Sequence, residues 1–168
     1  MTEDIKIESL RKSHTRESFD CGENSLNQYL RQYARQSGDT GLGRTFVAVT
    51  PDTSEVLGYY TIASGNISFE IVPSKLPRYP VPVVHLGRLA VSISRQGGGL
   101  GELLLLDCFR RSLQISAEIG IYAIELSAKT DRAKRFYMRY GFSELTDDDL
   151  HLYVSIDTIR RSGLIKTQ

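Results

Sequence analysis

From Ser94 to Arg111 the sequence runs SRQGGGLGELLLLDCFRR, which sets Gly97, Gly98, Gly99 and Gly101 at the edge of an abruptly leucine-rich segment. Glycine inside a regular element costs roughly 0.5–1 kcal/mol relative to alanine, so such a run fits a main chain that something approaches closely. The apolar VVHLGRLAVSI before it and the leucines after it read as strand, turn and helix. The unpaired N–H groups of a first helical turn, with the positive end of the helix dipole, would then face any anion placed there. Two well-known anion loops are excluded. A dinucleotide fingerprint GxGxxG needs glycine where Glu102 or Leu104 stands, and a P-loop needs a Gly-Lys pair where no lysine occurs between Lys75 and Lys129.

Other chemistry-bearing residues are few. His85 lies on the strand before the glycines and is the one histidine placed to act as a base; the alternative is a packed or hydrogen-bonded ring. His14 and His151 have no partner at metal-ligand spacing, so no metal site is expected, and both read as structural or exposed. Cys21 and Cys108 are far apart and form no CxxC pair, which fits two buried thiols rather than a disulfide or zinc site. Lys129, Arg132, Lys134, Arg135 and Arg139 crowd one short segment ending at Tyr140. This cluster is either a solvated helix face or a surface for a polyanion.

The elements that would position these residues follow from periodicity. Ile5–Leu10 alternates as a first strand. Leu26, Tyr29, Leu30 and Tyr33 recur at helical spacing, with Asn24 or Ser25 as N-cap and Gly38 as the stop. TFVAVT and EVLGYYTIAS flank the turn-prone PDTS as a hairpin, and Asn66–Val72 continues the sheet. PSKLPRYPVP carries four of the five prolines and predicts a loop or extended crossing. A central strand over Val83–Val91, a helix from Leu100 to about Ile119, a buried strand IYAIELSA, a short helix Asp131–Tyr140 and strands FSEL and HLYVSI complete the series. No internal repeat or linker interrupts it, so the expected fold is one α/β domain over residues 1–168, a mixed central sheet flanked by helices.

Composition agrees with that reading: 168 residues, 40% hydrophobic and 24% charged, suit a single globular core. A formal net charge of +1 supplies no global field for nucleic acid or an anionic membrane, so polyanion contact requires a local patch. The acidic opening MTEDIKIESL argues against a signal peptide, and no apolar run reaches the roughly 20 residues of a membrane span. A cytoplasmic protein is expected.

Gln96-Gly97-Gly98-Gly99-Leu100-Gly101 fits the pattern Arg/Gln-x-x-Gly-x-Gly or Ala and follows a strand ending GRLAVS. In this it resembles the GNAT superfamily of acyl-CoA N-acyltransferases, and LSAKTDRAKRFYMRYGF resembles the later strand and helix of that family with its Tyr-Gly-Phe ending. FDCGENSLNQYLRQYARQ, GLGRTFVAV and GYYTIASG add a likeness to the acetyltransferase toxins of bacterial toxin-antitoxin modules, covering roughly Ile7 to Ser155.

The resemblance implies acetyl-CoA as cosubstrate and Tyr140 as the general acid that protonates the departing thiolate. A tyrosine hydroxyl suits that task because it stays neutral at working pH. It implies pantetheine contacts from Leu89, Ala90 and Val91, pyrophosphate contacts from Arg95, Gln96, Gly97, Gly98, Gly99, Leu100 and Gly101, and further coenzyme contacts from Ala133, Phe136 and Tyr137. Tyr137 is open to packing or coenzyme stacking. Thr130 joins this set, although many relatives carry asparagine there.

The implied acceptor is the α-amino group of aminoacyl-tRNA, guided by Lys129, Arg132, Arg135 and Arg139, with arrest of translation as the result. An α-amine titrates near 7.7–8.0 in peptides, so a dedicated base is not required. The implied partners are a ribbon-helix-helix antitoxin, through which alone DNA would be met, and a second copy in a homodimer. A GNAT enzyme acting on a small amine or a protein N-terminus is the alternative.

Overall fold

The computed structural model describes residues 4–165. In chain order the elements are β1 (Lys6–Ser9), α1 (Asn24–Gln28), a π-helical turn (Tyr29–Tyr33), α2 (Ala34–Thr40), β2 (Arg44–Val49), β3 (Gly58–Ile67) and β4 (Val81–Val91). There follow α3 (Leu100–Ser116), β5 (Ala123–Ser127), α4 (Asp131–Met138), β6 (Ser143–Glu144), β7 (His151–Ser155) and α5 (Ile156–Ser162). Strands run β1-β2-β3-β4-β5-β7-β6 across a seven-stranded sheet. The β4–β5 pair is parallel, and β1–β2, β2–β3, β5–β7 and β6–β7 are antiparallel, so the sheet is mixed as expected.

The chain divides into two compact units, Met1–Ala63 with Gly87–Cys108, and Ser64–Leu86 with Phe109–Gln168. In the first, Phe19, Leu30, Val47 and Tyr59 pack with Ala34, Val49 and Ala90. Burying a side chain such as Leu30, which has no exposed surface, contributes about 1.5–3 kcal/mol. The second unit has its own core of Ile67, Val72, Val81, Val83, Ala123 and Leu145.

Five local expectations need correction. The N-cap of α1 is Glu23, without a side-chain cap bond, and not Asn24 or Ser25. Gly38 lies inside α2, and the stop is Gly41 at φ 78°. Between them the Ala34 N–H bonds the Tyr29 carbonyl, five residues back, so one extra residue enters the turn. That residue rotates the helix face: Tyr33 is 49% exposed and Ala34 is buried in its place. Asn66–Val72 leaves the sheet at Ile67 and coils into a 3₁₀ turn, Phe69–Ile71, capped by the Ser68 hydroxyl. Finally, α5 appears where the sequence reading placed only the end of a strand.

Candidate active site

In the first unit the glycine run is held by main-chain bonds. Ser92 N–H bonds Leu57 O at 2.8 Å, Ile93 N–H bonds Asp20 O at 2.8 Å, and Arg95 N–H bonds Ser92 O at 2.9 Å. Gly97 and Gly99 then take φ of +84° and +88°, and α3 begins at buried Leu100. A Cβ placed at either glycine would meet nothing within 4 Å, so left-handed backbone, not internal crowding, demands glycine there. The strip they leave is bare, and the first turn of the 17-residue helix α3 offers N–H groups with no intrahelical acceptor. Arg95, Gln96, Gly98 and Leu100 line a hollow beside it.

Gln96 does something the sequence did not suggest. Its Nε2 donates to Cys21 O and to Val91 O, both at 3.0 Å, tying the loop to the end of β4 and to the Phe19–Asn27 segment. That segment is itself braced. The Asp20 carboxylate accepts from Gly22 N–H at 2.9 Å and Asn27 Nδ2 at 3.0 Å, and Asn27 Oδ1 accepts from Cys21 N–H at 2.9 Å. The Gly22 backbone bond, with the Asn27 bond behind it, holds the Asp20 carboxyl below its ordinary range. Phe-Asp-Cys-Gly is therefore a buttress for the glycine loop. Cys21 is half-buried and not disulfide-bonded, and burial pushes its thiol up. Leu89, Ala90 and Val91 form the last residues of β4, with Ala90 buried.

In the second unit Thr130 is the N-cap of α4, its Oγ1 accepting from Ala133 N–H at 3.1 Å, so that hydroxyl serves the helix. The helix carries Phe136 and Tyr137, whose rings meet edge-on at 5.2 Å between centroids. Phe136 also lies 5.2 Å from Tyr140, and Tyr137 lies 5.4 Å from Phe142. Gly141, at φ +96°, reverses the chain after Tyr140 and lets Phe142 enter the core against Phe109. Tyr140 is thus fixed by a turn on one side and a ring on the other, and is half-buried. Lys129, Arg132, Arg135 and Arg139 are exposed around α4, the Arg139 guanidinium lying over Phe136 at 5.7 Å, whereas Lys134 is paired with Glu144.

The same unit contains a chain of titratable groups that sequence reading missed. His85 on β4 and Glu125 on β5 are register partners, and His85 Nδ1 lies 2.6 Å from Glu125 Oε1. Glu125 Oε2 lies 2.6 Å from His151 Nε2, and His151 Nδ1 lies 2.9 Å from Asp147 Oδ2. Burial opposes ionisation of Glu125, but hydrogen bonds from His85 and His151 prevail and hold its carboxyl below its ordinary value. His151 loses solvation as well, yet the bonds to Glu125 and Asp147 raise it. His151 is therefore a network member, and His14 is a buried structural ring, its Nε2 2.8 Å from Glu8. Residues 40 apart in sequence carry no local signal of such a pairing.

A family profile described as the acetyltransferase (GNAT) domain matches residues 41–144. A tRNA-acetylating toxin of Mycobacterium tuberculosis is 39% identical over 146 residues, covering 85% of this chain and 87% of that protein. A mutant of KacT superposes with a TM-score of 0.90 at 32% identity, covering 96% of this chain and 99% of its own. AtaT complexed with acetyl-methionyl-tRNAfMet gives 0.88 at 29% identity, with 95% and 99% covered. An AtaT mutant bound to the C-terminus of the antitoxin AtaR gives 0.84 at 26% identity, with 96% and 99% covered. With its bare glycine loop before α3 and the Tyr-Gly-Phe turn after α4, the chain belongs to the GNAT acetyltransferase family.

Proposed function

We propose that this acetyl-CoA-dependent N-acetyltransferase, one domain over residues 1–168, acetylates the α-amino group of aminoacyl-tRNA and so blocks translation. The observation that carries the acceptor is the likeness, over nearly the whole chain, to a tRNA-acetylating toxin and to AtaT with its acetylated tRNA. The cosubstrate fits the residues present. A Cβ-free strip at Gly97 and Gly99 and the open amides of α3 suit a pyrophosphate, with Arg95, Gln96, Gly98, Leu100 and Gly101 completing the loop. Gln96 shapes this loop through its side chain.

Acetyl-CoA supplies an activated acetyl thioester; the protein's task is positioning. Leu89, Ala90 and Val91 at the end of β4 would align the pantetheine arm. Holding two reactants in line is worth about 7–11 kcal/mol relative to free encounter. Tyr140 would donate its phenolic proton to the departing sulfur. The Thr130 hydroxyl caps α4 at the Ala133 N–H, Phe136 packs on Tyr140 and Tyr137 on Phe136, and Thr130, Ala133, Phe136 and Tyr137 would meet the coenzyme from this helix. Lys129, Arg132, Arg135 and Arg139 would meet tRNA phosphates.

An antitoxin would neutralise the enzyme, a reading supported by the AtaT–AtaR complex. By the family resemblance it would be a ribbon-helix-helix protein and the enzyme's link to DNA, and the KacTA–DNA complex supports the DNA link. A homodimer working in the cytoplasm, where charged tRNA is found, completes the proposal. Among the described residues no helix is long and apolar enough to cross a membrane.

The test is transfer of labelled acetyl from acetyl-CoA to a pool of charged tRNA, with uncharged tRNA as control. Label confined to charged tRNA is expected. Label instead on a small amine or a protein N-terminus would overturn the acceptor assignment and keep the enzyme.

A further inference from the structure

Gly38 sits inside α2, where glycine weakens a helix, and its backbone is not left-handed. A Cβ there would stand 3.8 Å from the Gly43 carbonyl oxygen and 4.0 Å from Arg44 Nη1, so bare helix backbone forms a floor beside the Arg44 guanidinium. Around it opens a hollow of about 320 Å³, lined by Arg11, Lys12, Arg35, Asp39 and Arg44 as well as Gly38. All of them belong to the first compact unit.

Four cations face one carboxylate here, on a chain whose formal net charge is only +1. Among the described residues Lys12, Arg35 and Arg44 have no ion pair, and Arg11 is held by Glu8 at 3.0 Å. The turn that presents Arg11 and Lys12 is braced by a buried ring. His14 Nδ1 accepts from Arg11 N–H at 2.8 Å, His14 N–H donates to Arg11 O at 3.1 Å, and His14 Nε2 lies 2.8 Å from Glu8 Oε1. Leu10 N–H donates to Thr45 O at 2.9 Å and ties the same turn to β2, one residue from Arg44. Like charges gathered in a braced hollow repel one another, and an anion relieves that repulsion. A competing use for such cations is to complement the negative end of α2. Its last carbonyls are already taken, however: Ser37 O accepts from Leu42 and Gly43 N–H, and Gly38 O accepts from Gly41 N–H.

Guanidinium groups present paired N–H donors that match a phosphate. We propose that this hollow is a phosphate site for the backbone of the tRNA acceptor, separate from the loop proposed for the pyrophosphate of acetyl-CoA. The proposal rests on the aminoacyl-tRNA reading. Its distance from that loop selects a large ligand. Asn27 braces the Asp20–Cys21 segment on which Gln96 is anchored, and it lies eight residues before Arg35 in one helical run, roughly 12 Å at 1.5 Å per residue. A small amine held for transfer does not span such a gap, whereas a nucleic-acid strand carries a phosphate at every residue. The hollow therefore adds affinity for whole tRNA without entering the transfer chemistry.

Steady-state acetylation of charged tRNA, tRNA binding at four salt concentrations and acetyl-CoA calorimetry test this on wild type, Arg35→Gln with Arg44→Gln, Asp39→Asn and Gly38→Leu. The double variant should raise KM for charged tRNA about tenfold, the loss of a charged hydrogen bond, and flatten the slope of log K against log salt by about 2. Its kcat, melting temperature and acetyl-CoA affinity should stay at wild-type values. Asp39→Asn should lower KM, a change of opposite sign that a packing role does not produce. Gly38→Leu keeps every cation but fills the hollow, and should raise KM as the double variant does. Normal labelling by the double variant at wild-type KM and slope overturns this proposal alone. So does a double variant that loses kcat or melting temperature with its slope unaltered, which would make the cations structural, or one that loses acetyl-CoA affinity, which would make the hollow a coenzyme contact. A wild type that neither binds nor labels charged tRNA overturns the acceptor reading and this proposal with it.

Discussion

Tyr140 owes its place to neighbours that a phenylalanine would keep. The ring contact with Phe136 at 5.2 Å and the left-handed turn at Gly141 involve no phenolic oxygen, so Tyr140→Phe keeps both and removes the proton donor. Transfer to charged tRNA should fall about 10²–10⁴-fold, while the acetyl-CoA dissociation constant and the melting temperature stay near wild type. A rate within a few-fold of wild type would exclude the hydroxyl as the acid. Gly58 shows the opposite case, a glycine needed for space alone. A Cβ there would sit 3.0 Å from both the Ala90 carbonyl oxygen and Leu104 Cδ1, and the carbonyl belongs to a paired strand that cannot give way. Gly58→Ala should therefore lower unfolding stability by about 1–3 kcal/mol in a denaturant titration, with an unchanged slope.

The turn between β4 and α3 separates two effects of one residue. Gly99 has open space around its missing Cβ, so Gly99→Ala costs only the left-handed strain of an L-residue, about 1–2 kcal/mol. A larger side chain fills the strip proposed for pyrophosphate, so Gly99→Val should weaken acetyl-CoA binding far more than Gly99→Ala does. Calorimetric titration of both variants checks this, and equal affinities would disprove the loop assignment. This loop was legible in sequence because all its parts lie within eight residues, and glycine there has one physical use. The strands were legible too, β1 from alternation and β2, β3 and β5 from continuous runs of β-branched, aromatic and apolar residues that are buried over most of their length. The π turn at Tyr29–Tyr33 was not: an inserted residue leaves local composition unchanged and shifts only which side chain turns inward, here Ala34 instead of Tyr33. Likewise Gln96 reads as a ligand contact until the Cys21 carbonyl, 75 residues away, is seen to accept its donor. The Glu125 network has the same cause, since strand pairing and not sequence spacing brings its members together.

For the whole molecule, charge is the property that links stability and partner. Two shifted groups set opposite pH limits. Glu125, held below its ordinary 4.5, stabilises the fold above that value and loses its contribution as pH falls through its lower folded value. His151, held above 6.5, contributes fully below that pH and loses its contribution as pH rises through the higher folded value. The melting-temperature advantage of wild type over His151→Gln should thus narrow as pH climbs past 6.5, and an advantage that widens would contradict the hydrogen-bonded cation.

Partner choice turns on where cations stand, because a net charge of +1 gives no long-range pull on RNA. Not every cation near α4 is available for that role. Lys134 is spent on Glu144, whereas Arg132 and Arg135 are exposed on the helix that leads to Tyr140. A phosphate contact appears in the salt dependence of binding, since each neutralised phosphate releases counterions, and losing one contact flattens the slope of log K against log salt by about 1. Arg132→Ala with Arg135→Ala should therefore flatten the slope for tRNA by about 2 and weaken binding at 50 mM salt more than at 200 mM. Lys134→Ala should leave the slope nearly as it is. Binding isotherms at four salt concentrations decide the matter: equal slopes for all variants would mean that this face of α4 is merely solvated and that the acceptor stem approaches from elsewhere.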